Sequence, residues 1–200
     1  IIRGLVGSEM CIRDRKNIGV FCSSLDCKKV FTDQANELGR IIGNKNYNLV
    51  FGGGKLGLMG VLAESAKKNG SKVISVIPKY LDKPDIIFDK SDTIYKTDNL
   101  FDRKKKLIDI SDILIALPGG VGTLDEIFDV VALYALGETN KSIFLLNIEN
   151  FWLPFNNMIE HLRENRMIRA SDDDFIEARS LKNLSIVDSV HKIFISSDFI

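Results

Sequence analysis

Two histidines and three cysteines in 200 residues leave little material for metal or imidazole chemistry. His161 and His191 have no zinc-ligand spacing around them, so neither a metal centre nor a histidine-based catalytic constellation is expected. Cys11, Cys22 and Cys27 are an odd set without a disulfide framework, which fits a reducing, cytoplasmic compartment. Charge of either sign is not in excess. The 27 Lys and Arg residues balance 27 Asp and Glu, and nothing recommends a nucleic acid or an anionic membrane as partner. No apolar run approaches the roughly 18–20 residues that span a bilayer, and no repeat, low-complexity tract or interdomain linker is visible.

What is present is an alternation of short apolar runs with helical stretches. Residues 1–15 (IIRGLVGSEMCIRDR) show neither period and lack a signal-peptide core; they are set aside as a non-native leader or disordered tail. The rest, 16–200, suits one domain with a sizeable core. Strands are expected at 18–22, 49–51, 73–77, 93–95, 113–117 and 142–146, and helices at 28–43, 57–69 (closed by Gly70), 100–110, 123–136, 153–165 and 185–197. Such alternation implies parallel crossovers. The expected fold is α/β, a Rossmann-like three-layer sandwich with a mainly parallel sheet and its site at the carboxyl ends of the strands. Trp152 reads as a packing residue near a helix start.

The chain is organised around ILIALPGGVGTLDE at 113–126. A strand buried on both faces breaks at Pro118 into Gly119, Gly120, Val121 and Gly122, and Thr123 is expected to open a helix. Bare backbone amides and the positive end of a helix dipole then converge, which favours an anion, most readily a phosphate. The alternative is that these glycines only permit a sharp strand-to-helix turn. Thr123 and Glu126 also spell T-x-x-E, a capping box, which would account for Glu126 without catalysis. In LFDRKKKLI at 100–108, helical spacing puts Arg103 and Lys104 in line with Leu107 and Ile108, facing the protein, while Lys105 and Lys106 turn away. Buried cations need anionic partners, and a nucleotide would supply one. Gly52 to Gly57 (GGGKLG) satisfies GxGxxG after a strand. The next strand, however, ends in Pro78 and Lys79 rather than the acid that holds a dinucleotide's ribose.

PGGVGTLDE at 118–126 fits the PGGxGTxxE signature of the LOG (Lonely Guy) family of nucleoside 5'-monophosphate phosphoribohydrolases, and GGGKLGLMG at 52–60 resembles that family's second glycine motif. The resemblance runs from about residue 17 to 194. It implies hydrolysis of the N-glycosidic bond of AMP or a cytokinin riboside 5'-monophosphate, with no metal or organic cofactor and a homodimer with sites near its interface. It implies catalytic roles for Arg103 and Glu126. Substrate contacts are implied for Ser24, Gly53, Gly54, Asp85, Lys104, Gly119, Gly120, Val121, Gly122, Thr123 and Asp125, with Gly60 and Ala63 allowing close helix packing. Departures from the family pattern are Leu100 for a methionine, Phe101 for a histidine, the shorter Asp85 for a glutamate, a missing glycine before Ser23, and ALYALG at 132–137 for TWAQLG. The last bears on base preference, so a general purine or pyrimidine nucleotide nucleosidase is an alternative. A non-hydrolytic nucleotide carrier is another, as in relatives proposed to bind molybdenum cofactor. Relatives have also been labelled lysine decarboxylases, but no lysine here commends itself as the anchor for pyridoxal phosphate.

Overall fold

The computed structural model describes residues 15–168 and 181–195. Apart from Arg15, which donates to the Gly70 carbonyl at 3.3 Å, the leader expected at 1–15 lies outside the described residues.

Short β-branched runs form β1 (Asn17–Phe21), β2 (Asn48–Phe51), β3 (Val73–Pro78), β4 (Thr93–Thr97), β5 (Ile113–Ala116), β6 (Ile143–Leu146) and β7 (Leu184–Val187). Between them lie α1 (Lys29–Asn44), α2 (Gly57–Lys68), α3 (Leu100–Ile110), α4 (Val121–Ala135) and α5 (Leu153–Glu164), with a short α6 (Val190–Ile193) after β7. All seven strands pair in parallel, in the order β4-β3-β2-β1-β5-β6-β7. The period of two along each strand sorts the core. Ile18, Val20, Leu49, Phe51, Ile113 and Ile115 face α1, α2 and α6, whereas Phe21, Val50, Val76, Leu114 and Ala116 face α3, α4 and α5. The α/β three-layer expectation is met.

The strand order reverses between β1 and β5, because β1 to β4 wind outward on one side and the α3 crossover returns the chain to the other. A crevice therefore opens beyond the carboxyl ends of β1 and β5. Its rims are tied by Leu117 N–H to the Phe21 carbonyl (2.9 Å) and Ser23 N–H to the Pro118 carbonyl (3.3 Å).

Two expectations need correction. Residues 184–187 are a strand, not the start of a helix over 185–197: Leu184 and Ile186 pack on the α5 side and Val187 on the opposite one, a period of two. The helix begins only after Ser189, whose side chain accepts from Lys192 N–H, and residues 196–197 lie outside the described residues. Gly60 does not serve packing on the sheet, since a Cβ there would meet the Lys55 carbonyl at 2.0 Å in the loop before α2. Ala63 is fully buried in the core, and Trp152 is buried edge-on between Phe151 and Phe155.

Candidate active site at the β1–β5 crevice

The α4 helix starts at Val121, two residues earlier than the Thr123 expected, with Gly120 as its N-cap and no side-chain cap. Its first i to i−4 bond is Leu124 N–H to the Gly120 carbonyl (3.1 Å), so the amides of Val121, Gly122 and Thr123 precede the intrahelical ladder and are left at the N-terminal end of the helix. None of Gly119, Gly120 and Gly122 has a positive φ. A Cβ at Gly119 would meet Thr123 Oγ1 at 2.1 Å, but one at Gly120 or Gly122 would meet nothing within 4 Å. Two of the three glycines thus answer to neither backbone strain nor packing, and what they leave is open space over bare amides.

The capping box does not form. With α4 starting at Val121, Glu126 sits well inside the helix and turns to α3, accepting from Arg103 Nη1 at 2.8 Å. Only 12% of the Arg103 side chain and 7% of the Glu126 side chain are exposed, so this is a buried pair rather than a surface ion pair. Burial pushes the Glu126 carboxyl above the ordinary glutamate range, and Arg103 opposes that rise without cancelling it. Arg103 Nε donates to the Val76 carbonyl at 3.2 Å. The buried Cys22 thiol at the end of β1 is pushed up as well, first by burial and then by the Glu126 charge.

Lys104 is largely buried, facing the protein as its helical spacing predicts, but its anionic partners are the chain's own. Its Nζ lies 2.9 Å from Asp125 and 2.7 Å from Asp129, one turn apart on α4. Burial disfavours the ammonium, but the hydrogen bonds it donates to Asp129 and Asp125 outweigh that and hold the Lys104 pKa up. Asp129 escaped the sequence reading; its position four residues after Asp125, on the same helix face, was the signal for it.

The remaining predicted residues divide between exposed and buried positions. Ser24 is exposed, and Ser23 joins the two glycine loops by accepting Met59 N–H on its carbonyl at 3.3 Å. Gly53 has φ 79° and its carbonyl accepts Phe88 N–H at 2.8 Å, while Gly54 bridges Ile87. The loop over 52–57 is therefore covered by the chain's own 86–88 segment and follows β2, away from the β1 end where a dinucleotide pyrophosphate would sit. Asp85 is exposed on the adjoining loop, and its carboxylate makes no hydrogen bond or ion pair among the described residues. Also among the described residues, no group of three His, Cys, Asp or Glu side chains could hold a metal ion, and no helix is long and apolar enough to cross a membrane.

A family model described as "Possible lysine decarboxylase" matches residues 59–189. Among curated proteins, the chain is 37% identical over 164 residues to a "Probable cytokinin riboside 5'-monophosphate phosphoribohydrolase" of Oryza sativa subsp. japonica, covering 81% of this chain and 67% of that one. It is 37% identical over 154 residues to a cytokinin riboside 5'-monophosphate phosphoribohydrolase of Arabidopsis thaliana, covering 76% and 72% respectively. This chain thus spans about two thirds of the length of these plant relatives. In shape it is similar to the molybdenum cofactor binding protein of Rippkaea orientalis (TM-score 0.62, 19% identity, 91% of this chain and 94% of that). The Moco carrier protein of Chlamydomonas reinhardtii is comparable (TM-score 0.62, 24% identity, 90% and 93%). At those identities the likeness shows the fold alone.

Proposed function

Because the chain belongs to the LOG family, we propose that it hydrolyses the N-glycosidic bond of a nucleoside 5'-monophosphate, giving a free base and ribose 5-phosphate. The observation that carries this reading is the buried Arg103–Glu126 pair, whose carboxylate lies on the same helix as a bare amide turn. Glu126 lies five residues beyond Val121, about 7.5 Å along the axis at 1.5 Å per residue, and side chains lean toward the helix N-terminus. A 5'-phosphate on the Val121–Thr123 amides therefore sets the sugar beside the carboxylate.

Cleavage of the bond between C1' and the base nitrogen builds positive charge on the sugar, which an ionised Glu126 stabilises and from which it directs the attacking water. Water supplies hydroxyl to C1' and a proton to the departing base. Arg103 holds the carboxylate in place and stabilises charge developing on the leaving side, and binding energy from the distant phosphate orients the reacting bond. Asp85 and Ser24 belong to the same proposed substrate surface, and Gly53 and Gly54, buried beneath the 86–88 segment, back it. A nucleotide carrier would need the amide turn but not the charged pair.

We further propose that the protein is a cytoplasmic homodimer. Cys22 and Cys27 are free, and Val121 and Phe128 on α4, Leu136 just after it, and Leu153 and Met158 on α5 are exposed; a second copy would cover such a surface. Incubation with AMP and with a cytokinin riboside 5'-monophosphate, with chromatography of the released base, tests the activity. Comparison of kcat/KM across bases sets the preference. Tight AMP binding without release of base would favour the carrier.

A further inference from the structure

The Arg103 guanidinium makes two polar contacts among the described residues and lies against the bare Cα of a third residue. Nε meets the Val76 carbonyl and Nη1 meets Glu126, while Nη2 lies over Gly52, where a Cβ would approach to 2.1 Å. The same Cβ would lie 3.3 Å from Arg103 Cζ and 3.3 Å from Met59 Cε, the mobile end of a flexible side chain. Gly52 is not among the positive-φ glycines, so its backbone does not demand glycine. The group that would have to give way to a side chain there is the guanidinium, and its hydrogen bonds to Val76 and Glu126 resist that shift.

We propose that Gly52 is a positioning residue for the hydrolysis, its bare Cα forming the wall that sets the Arg103 guanidinium against Glu126. The inference rests on the reading above, in which Arg103 and Glu126 carry the reaction. A methyl group at position 52 displaces Nη2, and because Nη1 and Nη2 share one rigid plane the Glu126 contact moves with it. Glu126 then loses the opposition that Arg103 offers to its burial.

The test is a double-mutant cycle with AMP as substrate, using wild type, Gly52→Ala, Arg103→Ala and the double variant. Displacement of a reacting group by about 1 Å costs on the order of 100-fold, so Gly52→Ala is expected to lower kcat by about that factor and to shift the acid limb of the kcat/KM profile upward. KM should move far less. In the Arg103→Ala background the clash is gone, so the double variant should fold and have the activity of Arg103→Ala alone. Full activity of Gly52→Ala, or an equal loss in both backgrounds, overturns the proposal. If Gly52→Ala cannot be obtained folded, the double variant decides: a folded protein matching Arg103→Ala supports the seat, and an unfolded one overturns it. Wild-type turnover by Arg103→Ala would instead remove the functional reading itself.

Discussion

At the scale of single residues the decisive group is Glu126, whose carboxyl is held above the ordinary glutamate value of about 4.3 by burial. The acid limb of kcat/KM is expected above that value and is expected to vanish in Glu126→Gln, with turnover lowered by about 10²- to 10⁴-fold as for loss of a general acid–base group. Stability follows from the same shift. A raised pKa means that the folded state holds the proton more tightly than the unfolded one. The favourable contribution is therefore complete below the unfolded value and lost as pH rises through the folded value. The Tm of Glu126→Gln relative to wild type should accordingly increase as pH rises above the unfolded glutamate value of about 4.3. A pH-independent difference in calorimetry would show that Glu126 has no such shift. Cys22, beside this pair, stays a neutral thiol and is expected to resist alkylation in the folded protein while Cys27 reacts.

At the scale of elements, α4 carries both ends of the site, and its first turn separates stability from function. Gly122 lies in the helix with nothing near its absent Cβ, so Gly122→Ala should raise stability by about 0.5–1 kcal/mol through helix propensity. The methyl group occupies the space over the amides. A lost charge-assisted hydrogen bond is worth about 1.5–3 kcal/mol, so KM for AMP should rise roughly ten- to hundredfold. Urea denaturation beside steady-state kinetics reads both; unchanged KM would place the phosphate elsewhere. The pairing of α3 with α4 is a second element-scale feature, in which Lys104 braces Asp125 and Asp129 next to the Arg103–Glu126 contact. Lys104→Met leaves two like charges one turn apart and should cost about 1 kcal/mol, the upper range for a partly exposed pair. Lys104→Arg should recover most of it.

At the scale of the whole molecule, the reversal of strand order puts the amide turn, the β1 end and the two charged helices on one edge of a parallel sheet. If two copies cover the apolar side of α4, Phe128→Glu should convert a dimer to a monomer in sedimentation experiments, and a wild-type monomer would end that proposal. Much of this architecture was legible beforehand. Strand and helix alternation, the glycine turn and the inward facing of Arg103 and Lys104 are written in local periods of two and 3.6, which act over a few residues. The end of the chain misled because 184–187 is short and apolar, and its membership of the sheet depends on β6 lying beside it. Sequence alone determined the parallel α/β layering and which residue types crowd the crevice. Only the tertiary structure decided that Glu126 answers to Arg103 rather than to its own helix end, that Lys104 is held by Asp125 and Asp129, and that Gly52 makes room for a guanidinium 51 residues away in the chain. Each of those contacts joins separate helices or loops across a crossover, and local spacing carries no information about which side chains such a crossover brings within reach.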